Sequence, residues 1–202
     1  MKLKNLYIIR HGETDWNKNQ KLQGQSDIQL NDVGREQARV LIPSLQKLNI
    51  QTIFSSPLGR ALETAKIVNS EFKFPIIQDD RLKETHVGEA EGLTLDEITE
   101  KFGSDFIPRW RSYDERLLDL SYPNGESKRK MMVRVRTAIL EIAQQTEADS
   151  IAIFSHGMLM RALTYIFGSG VAWDPQAFAN GSIHHFIWNE NRVDVIKYVG
   201  RV

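Results

Sequence analysis

Ser150-Ile151-Ala152-Ile153-Phe154-Ser155-His156-Gly157 is the stretch on which the fold turns. Its centre is continuously apolar, with two β-branched isoleucines and no polar alternation. A strand of that kind is covered on both faces, as in parallel sheets flanked by helices. The segment after it reads as a helix to about Phe167, with Gly168 as a C-terminal stop. Leu6-Tyr7-Ile8-Ile9 repeats the pattern and ends in Arg10-His11-Gly12.

Other elements follow by the same reasoning. Asn31 is a good N-cap for a helix to about Leu48 through Ala38, Leu41 and Leu45, with Pro43 expected to kink or divide it. Thr52-Ile53-Phe54 is a second strand candidate, and Ser56-Pro57 supplies an N-cap and first-turn proline for a helix carrying Ala61, Ala65 and Val68. Pro75-Ile76-Ile77 is a weaker strand. Thr94 to about Leu118 reads as helix broken at Pro108. Glu126 to Gln145 reads as a long amphipathic helix with Met132, Val135, Ile139 and Ile142 inward. Ser182–Trp188 and Val193–Val199 alternate around Asn189-Glu190-Asn191, a hairpin signal. Alternating strands and helices predict an α/β fold, a three-layer α/β/α sandwich with a mostly parallel sheet and a C-terminal hairpin. Residues 1–202 read as one domain, with about 94–122 as a small helical cap over a site.

The chain has 202 residues, 26 Lys+Arg against 26 Asp+Glu and no cysteine. Balanced charge gives no electrostatic argument for a dedicated nucleic-acid or membrane-surface binder. Without cysteine there is no disulfide framework, no thiolate metal site and no thiol nucleophile, which excludes cysteine-dependent phosphatases. The apolar run near the N-terminus meets Arg10 too early for a signal peptide, and no later stretch is a membrane span. A soluble cytoplasmic protein, monomeric or homodimeric, is the expectation.

Only five histidines occur, and His11 and His156 share one grammar, a strand followed by His-Gly. Ligands of open α/β sheets bind beyond the carboxyl ends of strands, so both imidazoles are expected in one crevice. Histidine pairs also serve metals, but no spacing such as H-E-x-x-H accompanies them, and the neighbours are cationic: Arg10, and Arg60 in the first turn of the helix after Ser56-Pro57. Guanidinium forks and a helix N-terminus make an anion site, above all for a phosphoryl group, and repel a divalent cation. No P-loop, dinucleotide fingerprint or G-x-S-x-G elbow is present. A neutral imidazole remains as nucleophile, and a leaving alkoxide further requires a carboxylic acid near the pocket.

Arg10-His11-Gly12-Glu13-Thr14-Asp15-Trp16-Asn17 resembles the signature of the histidine phosphatase superfamily, the phosphoglycerate mutase-like proteins. The blocks Gln23-Gly24, Leu30 to Ala38, Ser55 to Ala61, Leu82 to Gly92, Gly125-Glu126-Ser127 and Ser155-His156-Gly157 extend the resemblance over nearly the whole chain. It implies His11 as the nucleophile that becomes phosphohistidine. Arg10, Arg60 and His156 would hold the phosphoryl oxygens, and Glu84 would be the general acid and then the base. Asn17, Gln23, Gly24 and Gly157 would line the substrate pocket. Glu89, Glu91 and Glu13 are the carboxylates that compete with Glu84, while His86, His184 and His185 read as structural or surface residues. Neither a metal nor a cofactor is implied; the partner is a small phosphorylated metabolite.

A phosphatase is favoured over the alternative, a 2,3-bisphosphoglycerate-dependent phosphoglycerate mutase. The mutase branch carries a basic and an aromatic residue where this chain has Thr85 and Val87, and a longer insertion than Gly92 to Pro123. Trp110-Arg111-Ser112-Tyr113-Asp114 points the other way, since it echoes a mutase string but keeps one arginine of two. A non-catalytic phosphate-binding protein is the third reading, and the presence of every expected catalytic residue opposes it.

Overall fold

The computed structural model describes residues 3–168, 175–189 and 196–202. In chain order the strands are β1 (Leu3–Arg10), β2 (Thr52–Ser55), β3 (Ile76–Gln78), β4 (Ser150–Ser155), β5 (Ile183–Asn189) and β6 (Ile196–Arg201). The helices are α1 (Asp15–Lys18), α2 (Asp32–Lys47), α3 (Gly59–Asn69), α4 (Leu95–Phe102), α5 (Phe106–Arg111), α6 (Lys128–Gln145) and α7 (Gly157–Phe167). The strands form one sheet in the order β3-β2-β4-β1-β5-β6. Pairing is parallel from β3 to β1 and antiparallel for β5 and β6. The α/β class and mostly parallel sheet expected from the sequence are therefore present.

Alternation along the central strands explains the three layers. Leu6, Ile8, Ile151 and Ile153 face α6 and α7, packing on Met131, Val135, Ile139, Leu159 and Leu163. Tyr7, Ile9, Ala152 and Phe154 face the other way, onto Leu41, Leu45, Ala65 and Val68 of α2 and α3. Every residue of β4 is buried, as its unbroken apolar run requires. A third cluster gathers Val87, Ala90, Ile98, Trp110 and Tyr122 around α4 and α5.

Several local expectations need correction. Pro43 lies inside an undivided α2. It is exposed, as is Arg39, whose carbonyl loses its helical partner, while Ala38, Leu41 and Leu45 keep the helix seated. Ser56 is not the N-cap of α3: the helix starts at Gly59 with Leu58 as N-cap and no side-chain cap bond, while the Ser56 hydroxyl lies 2.8 Å from His156 Nε2. The break in the charged helical stretch falls at Gly103, with φ +93, and not at Pro108, which sits in the first turn of α5 where no intrahelical donor is needed. The helix expected from Glu126 begins at Lys128 with Ser127 as N-cap, and Met131 is its fully buried methionine where Met132 was expected. The stop expected at Gly168 is where α7 ends, with Gly168 as its C-cap in an extended conformation. The hairpin partner of β5 begins at Ile196; residues 190–195, with the expected turn, lie outside the described residues.

The loop after β1 crosses the start of α2 at minimal distance. A Cβ on Gly34 would lie 2.1 Å from the Glu13 carbonyl oxygen, and one on Gly12 would lie 2.3 Å from that of Gly34. Glycine inside a helix ordinarily costs about 0.5–1 kcal/mol relative to alanine. Here the sign reverses. Gly34→Ala is expected to destabilise by about 1–3 kcal/mol in urea unfolding, the cost of overpacking a rigid contact. A stabilised variant would show that the two backbones separate freely.

Candidate active site

β1 and β4 pair in parallel with Arg10 opposite Ser155, so His11 and His156 leave the sheet side by side. Their ring centroids are 5.3 Å apart, and both side chains are buried. His11 Nδ1 lies 2.6 Å from the Gly12 carbonyl oxygen. That oxygen can only accept, so Nδ1 carries the proton and Nε2 keeps its lone pair. Burial, reinforced by the charges of Arg60 and Arg10, holds the His11 pKa well below 6.5. His156 is held low by burial first and then by Arg60. Its Nε2 is 2.8 Å from the Ser56 hydroxyl, which also accepts from the Leu58 amide at 3.3 Å. A hydroxyl donating to Nε2 leaves the proton on Nδ1, a buried atom with no partner among the described residues.

The two arginines come from different elements. Arg10 ends β1 and donates through Nη1 to the Phe178 carbonyl. Arg60, in the first turn of α3, is fully buried and donates to the carbonyls of Ser26 and Gly24, each at 2.7 Å. Burial brings its pKa down to about 10, against the opposing pull of Glu84, Asp27 and Glu91. The Nε atoms of both arginines are buried without a partner among the described residues. Unsatisfied buried N–H groups beside a cationic cavity are the complement of an oxyanion.

The expected lining residues are also there. Asn17, Gln23, Gly24 and Gly157 all border the cavity. Asn17 Oδ1 accepts from the Thr14 amide at 3.2 Å and from Asn180 Nδ2 at 3.2 Å. Gly24 adopts φ +52, and a Cβ there would strike the Glu91 carboxylate. A Cβ on Gly157 would press on the Arg10 guanidinium at 3.3 Å, so glycine lets that side chain lie across the start of α7. His156 differs from these: it is buried beside His11 and is not among the residues that line the cavity.

Of the four competing carboxylates, only Glu84 borders the cavity among the described residues. Its oxygens accept from the first-turn amides of Met158 at 3.1 Å and Leu159 at 3.3 Å. Glu13 is bound by Asn31 at 2.9 Å, and Glu89 pairs with Lys101 at 3.0 Å. Glu91 supports the loop under Arg60, accepting from the Gln25 amide at 2.9 Å and from the Ser26 hydroxyl.

The cavity has room of about 140 Å³. Among the described residues five cationic side chains border it, Arg10, Lys21, Arg60, Arg111 and Arg161, with the single carboxylate of Glu84. Lys21, Arg161, Trp110 and Met158 were not singled out as site residues from the sequence, and neither was Asn180, which also donates to the carbonyls of His11 and Gly12 at 3.0 and 3.1 Å. Arg161 carried a faint signal, five residues after His156 on the same helix. Asn180 carried none. The remaining histidines lie elsewhere: His184 donates to the Ala177 carbonyl at 2.8 Å, His185 stacks on Tyr7 with centroids 4.6 Å apart, and His86 is half-exposed beside Glu91.

Two buried neutral histidines make stability depend on pH. In the unfolded chain they bind protons as pH falls through about 6.5; in the folded chain they do so only well below that. The unfolded state then holds more protons, so stability falls as pH drops from 6.5 toward 5, by up to about 1.4 kcal/mol per pH unit per histidine. Urea unfolding of the wild type and of His156→Asn across this range checks it. The variant should show a shallower slope, and equal slopes would contradict the assignment of His156 as neutral.

Residues 6–199 match the family model described as the histidine phosphatase superfamily (branch 1). A phosphatase called PhoE from Bacillus subtilis, otherwise uncharacterised, is 33% identical over 169 residues, covering 84% of this chain and 78% of that protein. Phosphoglycerate mutase-like protein 4 of Arabidopsis thaliana is 35% identical over 162 residues, covering 78% and 68%. Among solved structures, a mycobacterial glucosyl-3-phosphoglycerate phosphatase in complex with VO3 superposes with a TM-score of 0.81 at 25% identity, covering 98% of each chain. With the family model spanning nearly its whole length, the chain belongs to the histidine phosphatase superfamily.

Proposed function

We propose that this protein is a phosphatase that hydrolyses small phosphomonoesters through a phosphohistidine on His11. The observation that carries the reading is the state of His11: Nδ1–H is fixed on the Gly12 carbonyl, which leaves Nε2 its lone pair, and the residue borders a cavity also walled by Arg10 and Arg60. Nε2 attacks phosphorus and forms the P–N bond while the ester P–O bond breaks. The departing alkoxide takes its proton from the Glu84 carboxyl. Glu84, now a carboxylate, removes a proton from water as that water attacks phosphorus and breaks the P–N bond. Inorganic phosphate leaves, His11 is regenerated and Glu84 is protonated again. Arg10 and Arg60 stabilise the charge that spreads over the equatorial oxygens, and His156 Nδ1–H adds a donor beside His11. Because guanidinium and imidazole groups supply that stabilisation, the reaction needs no metal ion.

Phosphoglycerate mutase is the second reading, favoured by one observation. Lys21, Arg111 and Arg161 add cations on the wall beyond the two arginines of the cradle. Such contacts could retain a second acidic group during phosphoryl return. Thr85 and Val87, small and uncharged on the same wall, support the hydrolase. Assay of 3-phosphoglycerate primed with 2,3-bisphosphoglycerate, against release of inorganic phosphate from a panel of monoesters, separates the two.

His11→Ala is expected to lower turnover by at least roughly 10³-fold and to abolish an acid-labile phosphoenzyme trapped from the wild type. A near-normal rate would end the proposal. Chelator should leave the rate unchanged, and vanadate should inhibit; a loss restored by added metal would indicate metal-assisted hydrolysis. Glu84→Gln is expected to slow alkyl phosphates by about 10²–10⁴-fold and 4-nitrophenyl phosphate far less, because a nitrophenolate leaves without a proton. Equal losses on both substrates would remove Glu84 as the acid.

A further inference from the structure

The segment that presents Glu84 follows a single 3-10 turn, Asp80–Leu82, and its backbone is anchored residue by residue. The carbonyls of Arg81, Leu82, Lys83 and Glu84 all accept from side chains of other elements. Arg134 Nη1, on α6, donates to Arg81 at 2.7 Å and to Lys83 at 3.0 Å. Ser155 Oγ, at the end of β4, donates to Leu82 at 2.8 Å, and Gln25 Nε2 donates to Glu84 at 2.9 Å. The rest of the Arg134 fork is spent on Glu126: Nε to Oε1 at 2.9 Å and Nη2 to Oε2 at 2.7 Å. Both side chains are largely shielded, at 20% and 16% exposure. Glu126 also reaches the far side of the loop, where its amide donates to the His86 carbonyl at 2.7 Å.

We infer that Arg134 and Glu126 are positioning residues for the general acid, a clamp that grips the loop on both sides of Glu84 and sets where its carboxyl meets the leaving-group oxygen. This inference rests on the acid–base role of Glu84 proposed above. The geometry requires the planar fork, because one terminal nitrogen must serve two carbonyls while the other face of the guanidinium is held by a carboxylate. Lysine keeps the charge and loses that geometry. Glutamine at 126 keeps the size and the backbone contact but weakens the grip on Arg134. A displacement of the carboxyl by an ångström is costly to proton transfer and nearly without effect on an activated leaving group.

The test is a set of kcat/KM values for an alkyl phosphate and for 4-nitrophenyl phosphate, measured on Arg134→Lys and Glu126→Gln, alone and combined with Glu84→Gln. Each single variant should lose about tenfold or more on the alkyl ester relative to the nitrophenyl ester, with vanadate inhibition unchanged. In the Glu84→Gln background the further loss should vanish, since the clamp acts through that carboxyl. Full rescue by Arg134→Lys, equal losses on both esters, or losses that add in the Glu84→Gln background would each overturn the clamp. Glu126→Gln, the milder change, gives the same reading if the Arg134 variant does not fold. Failure of the underlying role looks different: Glu84→Gln alone would then slow both esters equally.

Discussion

Parallel pairing of β1 with β4 is the constraint on which the rest of the structure depends. With Arg10 set opposite Ser155, the two strand–His-Gly segments leave the sheet at the same end and level, and their imidazoles meet. Antiparallel pairing would have sent them to opposite ends of the molecule. The apolar alternation of these strands onto α6 and α7 on one face and α2 and α3 on the other holds that register. A shift of one residue would turn every core side chain to the wrong layer. The close approach of Gly12 to Gly34 follows from the same placement, since the loop from β1 has to pass over the start of α2.

The second physical feature is positive charge that is hydrogen-bonded without being fully neutralised. Arg60 is buried on the carbonyls of Gly24 and Ser26, and Arg10 on that of Phe178. Carbonyls satisfy N–H groups but carry no net charge, so the field of both guanidiniums persists in the cavity. Burial first, and then that field, hold the pKa values of the neighbouring imidazoles well below 6.5. One arrangement thus yields both a cationic cavity and neutral imidazoles, which are what the proposed reaction requires. Among the described residues no group of three or more His, Asp or Glu converges as a metal site would require, and no helix is long and apolar enough to cross a membrane.

Where the sequence misled, a tertiary contact had overruled a local preference. Ser56 has the residue type of an N-cap, but the helix starts two residues later than that role requires, at Gly59, and the Ser56 hydroxyl meets the buried His156 nitrogen, a partner 100 residues away. Pro43 should divide a helix, yet the lost hydrogen bond faces outward and three buried side chains hold the turn in place. Asn180 lies far from His11 in the chain and in no recognisable pattern, so its bonds to the His11 loop could not be anticipated. The hierarchy is general: burial decides which local signals are honoured.

What the sequence determined by itself is the inventory of chemistry and the fold class. Continuous apolar strands demanded a covered parallel sheet, two strand–His-Gly segments marked its carboxyl end, and the absence of cysteine removed the thiol alternative. The ordered blocks of residues added the expectation of His11 as nucleophile, of the two arginines and of an acid-bearing loop. Only the tertiary structure decided which carboxylate faces the cavity. Glu13, Glu84, Glu89 and Glu91 are one residue type in similar surroundings along the chain. Their fates differ because Asn31, the first turn of α7, Lys101 and the loop of Gln25 and Ser26 each claim one of them. Those partners are distant in sequence, and a carboxylate's role is set by what surrounds it in space, which residue order along a chain does not encode locally.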